Sequence, residues 1–319
     1  MARFVEITKE WGVDTESVPA RMLIAHSGFN LVLLRDGKGL TLQPDKKGMI
    51  GVHEITKRFS ISKVKKLLTN FNRPRNLTPE TSDTWDELLT KAVDLADGDS
   101  ARPIIVTGNV RGDVTLKAVR DKREDTSIKI AVVSTRTIKV AFNYVGYVMS
   151  QRSRHEHTSR EPGDAGELLK QLNRIFAPQG NIVFQMSRPA QWVWVDGGLD
   201  KIVTLSDLPK FKDKGDPAAN WNVFFVGEVE TKVVAGRKGP ADNDAAFTVP
   251  GISVVEDVGG KDTLVHEAGH FAGSTKDLVF GGHEASEGHS NWLTFSPWKL
   301  RTGNKLNWRY AIEFNARAK

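Results

Sequence analysis

His266, Glu267 and His270 form the His-Glu-x-x-His pattern of this chain. On a helix, residues four apart share a face, so two imidazoles in this spacing reach a single ion. Glu267 directly follows the first imidazole and can aim its carboxylate at a water that the metal makes acidic. That is the chemistry of a general base in metal-assisted hydrolysis. Leu264, Val265, Ala268 and Phe271 provide apolar contact for such a helix. Asp262 or Thr263 is placed to cap its start, and Gly273 suits a left-handed stop.

A catalytic zinc takes three protein ligands and keeps one position for water. Four of the eight histidines fall within 266–289, so the third ligand is sought nearby. His283 follows Gly281-Gly282, a pair that lets the chain turn back toward the ion. His289 after Gly288 is the main rival, and Asp277 is a hard oxygen donor closer to the helix. Elsewhere, His155 and His157 lie two apart in a polar stretch, where solvated imidazoles are the default. Asp196 and the group Asp242, Asn243, Asp244 lack the spacing of a helix-loop-helix calcium site.

The elements that must carry these residues follow from hydrophobic period. From about residue 136 the chain alternates β and α. Strands are predicted at 138–148, 181–186 and 222–229, with an amphipathic helix over 164–176. Residues 247–255 read as one or two short strands near a sheet edge, directly before the His-Glu-x-x-His helix. The first 135 residues are mostly β, with strands at 21–34, 40–43, 48–56, 103–108, 113–120 and 127–134. Asp36-Gly37-Lys38-Gly39 reads as a hairpin turn between the first two. One helix interrupts them, starting at Ser82, with Trp85, Leu88, Leu89, Ala92 and Val93 at helical spacing.

With 319 residues, the chain has room for two domains. Zero Cys excludes disulfides, thiolate metal sites and a cysteine nucleophile. The net charge of +6 comes from 45 Lys+Arg and 39 Asp+Glu interspersed along the chain, which does not call for a nucleic-acid partner. No apolar run approaches the ~20 residues of a membrane-spanning helix. The start, Met-Ala-Arg-Phe-Val-Glu, lacks the apolar core of a Sec leader, so any export is expected by a leaderless route.

The helix motif resembles that of the metzincin zinc metalloproteases, His-Glu-x-x-His-x-x-Gly-x-x-His followed by a Met-containing turn. His266, Glu267, His270 and Gly273 match in spacing, whereas Lys276 stands where the third His belongs. Removing 274–280 would restore the spacing with His283, so the resemblance implies an insertion there and His283 as third ligand. The five Met residues all precede the motif, so Leu293 within 290–297 would take the Met position. Residues 110–134 resemble, more weakly, the closing strands of a bacterial immunoglobulin-like domain.

The expectation is an α+β chain. A β-rich accessory domain over 1–135, immunoglobulin-like, precedes a metzincin-like zincin domain over 136–319 with a mixed sheet and active-site helix. The resemblance implies a Zn2+ endopeptidase with metal ligands His266, His270 and His283 and general base Glu267. Its partner would be a protein or peptide substrate, its setting that of a secreted bacterial toxin or effector. The rival readings are an inactive zinc-binding scaffold of a phage or secretion apparatus and a hydrolase of cell-wall peptide crosslinks.

Overall fold

The computed structural model describes residues 1–8, 13–15, 18–56, 61–70, 78–96, 101–149, 155–199, 203–229, 246–257, 261–273 and 315. The fold is mixed α+β with strand outweighing helix. Two compact units are present: Met1–Arg136 with Asn173–Val183, and Thr137–Leu172 with the described residues from Phe184 onward, Asn315 excepted.

The first unit contains β1 (Arg3–Val5), β2 (Val13–Asp14), β3 (Ala20–Ala25), β4 (Phe29–Arg35), β5 (Thr41–Pro44) and β6 (Ile50–Glu54). Helices α1 (Ile61–Asn70) and α2 (Ser82–Ala96) follow, then β7 (Ala101–Gly108), β8 (Gly112–Arg120) and β9 (Arg123–Val133). Four strands form an antiparallel sheet in the order β1-β4-β7-β6, and five form a second, β2-β3-β9-β8-β5. β3 runs parallel to β9, and the other pairs of the second sheet are antiparallel.

The side chains explain the layers. Val114, Leu116 and Ala118 of β8 are buried at every second position, as expected of a strand with one face in a core. They pack in one cluster with Ile128 and Ile130 of β9 and with Val32, Leu34, Ile104 and Val106 of the other sheet. β4 is apolar at every position from Leu31 to Leu34 because both its faces are covered. Phe29, Leu31 and Leu33 turn the other way, onto Trp85, Leu88, Leu89 and Ala92 of α2. Phe29 and Trp85 stand 4.4 Å apart between ring centres.

Two sequence expectations change here. The apolar segment 21–34 is not one strand: Ser27, at φ 59°, breaks it into β3 and β4, which join different sheets. The Asp36–Gly39 turn closes no hairpin either, since β4 and β5 also lie in different sheets. A turn signal reports chain reversal and not the partner of the next strand.

The second unit is built on β10 (Arg136–Met149), the long central strand. The chain continues through β11 (His155–His157), α3 (Ala165–Gly180), β12 (Ile182–Met186), β13 (Gln191–Leu199), the short α4 (Leu208–Lys212), β14 (Trp221–Val226), β15 (Ala246–Val249), β16 (Ile252–Glu256) and α5 (Lys261–Gly273), with the second half of α3 and the first two residues of β12 counted in the first unit. β12 and β13 pair with β10, β14 runs parallel to β10, β16 runs parallel to β14, and β15 closes the row antiparallel to β16.

Alternation divides this sheet into two faces. Val145, Tyr147, Phe224, Val226 and Val254 pack with Phe211 of α4 on one. Val140, Phe142, Tyr144, Trp221, Val223 and Phe225 share the other, as their register requires. Asp257, just past β16, accepts hydrogen bonds from the Thr158 hydroxyl and the Ser159 amide, which fixes the chain four residues ahead of α5.

The helical cover of the first unit predicts a large effect of one truncation. Trp85→Ala should cost about 3–5 kcal/mol of stability, the usual loss for a buried tryptophan. Urea unfolding followed by circular dichroism measures it, and an unchanged midpoint would refute the tight packing of α2 on β4.

Candidate metal centre

α5 is held from below by apolar contact. Leu264, Val265 and Ala268 are buried, and the helix lies against β15 and β16. Phe271 stacks on Trp221, with ring centres 5.2 Å apart and planes at 14°, and Trp221 in turn meets Phe184 at 5.9 Å. This fastening sets the rotation of the helix about its axis and therefore where its polar side chains stand. Lys261 is already helical, so Asp262 and Thr263 lie in the first turn rather than ahead of it.

His266 and His270 project from the half-buried side of α5. Their rings are nearly perpendicular, at 88°, with centres 4.6 Å apart, and the two Nε2 atoms are separated by 3.0 Å. Two nitrogens on a tetrahedral zinc, each at about 2.0–2.1 Å from the ion, stand about 3.3 Å apart. The imidazole pair therefore fits one ion with an adjustment of a few tenths of an ångström.

Glu267 is 6% exposed, a carboxylate taken out of water and held by hydrogen bonding. Its Oε2 accepts from the Thr248 hydroxyl on β15. Ligand atoms of His266, Glu267 and His270 all lie within 4.8 Å of one another, the one such group of three among the described residues. Of the residues expected from sequence, these three come together. His283, His289, Asp277 and Leu293 lie outside the described residues.

His157 is engaged otherwise. Its Nδ1 lies 2.6 Å from the Thr158 carbonyl, and its ring meets Trp192 edge-on at 5.8 Å. Trp192 and Trp194 are exposed on β13, whereas Trp221 is fully buried.

The sequence reading passed over Thr248, Ser253 and the indole of Trp221. Trp221 Nε1 donates to Ser253 Oγ at 2.8 Å, and the Ser253 and Thr248 hydroxyls are 2.6 Å apart. The available signal was a hydroxyl residue at a core-facing position in each of two mainly apolar strands. A buried hydroxyl needs a partner, and here the partners are each other and Glu267.

No protein-family model matches the sequence, and no curated protein matches it. Among solved structures the chain is similar to domains 4 and 5 of the S-layer protein SbsC, at 12% identity over 39% of this chain and 44% of that one, with a TM-score of 0.21. It is likewise similar to residues 31–844 of SbsC, at 12% identity over 43% of this chain and 14% of that one, TM-score 0.21. SbsC domains 5–6 match at 11% identity over 43% of this chain and 50% of that one, again with a TM-score of 0.21. The chain spans half or less of each of these structures, and at such scores the likeness carries no argument about fold or function.

Proposed function

We propose that the chain is a zinc-dependent endopeptidase of metzincin-like fold, with His266 and His270 as metal ligands, His283 as the third and Glu267 as general base. The observation that carries this reading is the approach of two imidazole Nε2 atoms to 3.0 Å, beside a buried carboxylate on the same helix. The order of elements ahead of that helix supports the same reading. β10, α3, β12 and β14 come in that order, with β11, β13 and α4 between them; the antiparallel edge strand β15 follows, then β16, and α5 comes after β16.

A bound zinc supplies positive charge that polarises the scissile carbonyl and acidifies water. Glu267 takes the proton of the attacking water and delivers it to the leaving amine, one carboxylate serving first as base and then as acid. An extended substrate pairs with the outer edge of β15, which no described strand occupies, and so lies across α5 as an added antiparallel strand.

The first unit acts as an accessory module of immunoglobulin-like type. Labelling its strands A to G as β1, β4, β5, β6, β7, β8 and β9 gives the orders A-B-E-D and G-F-C, with β3 added beside G and the two helices inserted between D and E. That order supports the reading.

Two measurements test the proposal. Mass spectrometry of protein purified without added metal should find about one zinc per chain, the stoichiometry of a single catalytic site. His270→Ala and His283→Ala should each lose it, and zinc retained in His283→Ala would move the third ligand to another residue. A wild-type chain that takes up no zinc when offered it would end the proposal. In a peptide-library assay, Glu267→Gln should retain the metal and lose at least ~100-fold in turnover, and chelation should abolish turnover of the wild type. Unchanged turnover in Glu267→Gln would remove that residue from the mechanism. Release of peptide fragments from peptidoglycan alone would redirect the same chemistry to cell-wall crosslinks.

A further inference from the structure

Glu267 is reached by a chain of hydrogen bonds that begins in the middle of the sheet. Trp221 on β14, Ser253 on β16 and Thr248 on β15 lie on one face of three neighbouring strands, Thr248 directly opposite Ser253. The donors order themselves. An indole N–H can only donate, so Ser253 Oγ accepts from Trp221 Nε1. An ionised carboxylate can only accept, so the Thr248 hydroxyl donates to Glu267 Oε2. Thr248 Oγ1 has then spent its proton, and the 2.6 Å contact with Ser253 has the Ser253 hydroxyl donating. Every link points toward Glu267.

We propose that Thr248 is a positioning residue for the general base, its hydroxyl fixing the plane of the Glu267 carboxylate, with Ser253 and Trp221 holding that hydroxyl in turn. The inference rests on the peptidase reading. A glutamate has three rotatable side-chain bonds, and an unanchored carboxylate samples orientations in which neither oxygen faces the water. Anchoring one oxygen from the sheet removes that freedom before substrate arrives. Thr248 belongs to the strand on which an extended substrate would be laid. Its main chain serves substrate pairing while its side chain turns onto the sheet face that α5 covers. The residue thus places the base relative to the scissile bond through a single strand.

A role in positioning separates from a role in packing or substrate binding. Thr248→Val keeps the β-branched shape and the main-chain pairing but removes the hydroxyl. With zinc content unchanged, kcat should fall about 10- to 100-fold, the loss that follows misplacement of a catalytic group, while KM stays within about twofold. Thr248→Ser, which restores the hydroxyl, should recover kcat to within about threefold. A wild-type kcat in Thr248→Val would overturn the inference. So would a raised KM at unchanged kcat, which assigns Thr248 to substrate binding alone. A Thr248→Ser variant as slow as Thr248→Val would also overturn it by giving the effect to the lost methyl packing.

A readout independent of turnover is the urea midpoint of Thr248→Val, Glu267→Ala and the double variant. The anchor predicts that the double variant unfolds close to the worse single variant, whereas additive shifts would mean that the two side chains are not coupled. Coupled midpoints in a zinc-loaded wild type that cleaves no peptide would overturn the peptidase reading, and the catalytic meaning of the anchor with it. Additive midpoints in an active enzyme would overturn the anchor and leave the peptidase reading standing.

Discussion

Two imidazole nitrogens 3.0 Å apart are an arrangement that needs something between them. If both lone pairs face inward they repel, and a shared proton or a cation relieves the repulsion. The backbone enforces the approach, because residues four apart on a helix stand one above the other. What is not automatic is that the helix presents them in one fixed direction. That is settled by the sheet, which takes hold of α5 through the Trp221–Phe271 stack and through Thr248 on Glu267. Phe271 and Glu267 are themselves four apart, so the sheet grips one stripe of the helix while the histidines occupy the stripe beside it.

The sheet can serve as that fixed reference because its middle is dry. β10, β14 and β16 run parallel, and their apolar residues are covered on both faces: Val223, Phe224, Phe225 and Val226 are all buried. Such strands read as unbroken apolar runs. A polar residue among them stands out physically, since burial without a partner costs it free energy. Ser253 and Trp221 Nε1 satisfy each other, and the chain of donors ends on the one carboxylate that the chemistry uses.

The sequence was legible where a residue's own neighbours decide its conformation. The 3.6-residue period of α2 and α3 and the spacing of His266 and His270 are local properties, and all three helices formed at the expected positions. The long strand β10 and the strand character of 247–255 were visible for the same reason, though not whether that segment holds one strand or two. Pairing was not. Whether Asp36–Gly39 joins two strands of one sheet or crosses between two depends on residues far along the chain, since β5 pairs with β8 and β4 with β7. β13 was missed because its outward residues, Trp192 and Trp194, are large and apolar yet exposed, which erases the alternation that marks a strand. In the site, the two histidines and the glutamate announce themselves by type. The hydroxyls of Thr248 and Ser253 do not, because serine and threonine are common on surfaces and only their register places them inside.

That register is the most delicate feature of the site. β15 is four residues long and is joined to β16 through Pro250-Gly251, with Val249 opposite Ile252 as the closing pair. Gly251 sits at φ 78°, in the left-handed region where a side chain is strained, and Pro250 presets the preceding backbone angle, so the loop favours one length and one pairing. With that pairing Thr248 faces Ser253 and Glu267. A slip of one residue would send Thr248 to the opposite face of the sheet, away from the helix. The shortness of the strand also keeps its outer edge, which no described strand occupies, from templating unwanted pairing along its length. A two-residue turn some distance from the metal ligands thus decides whether a hydroxyl stands beside the carboxylate at all. The two histidines need only their helix, whereas the orientation of the base depends on the sheet having closed in the correct register.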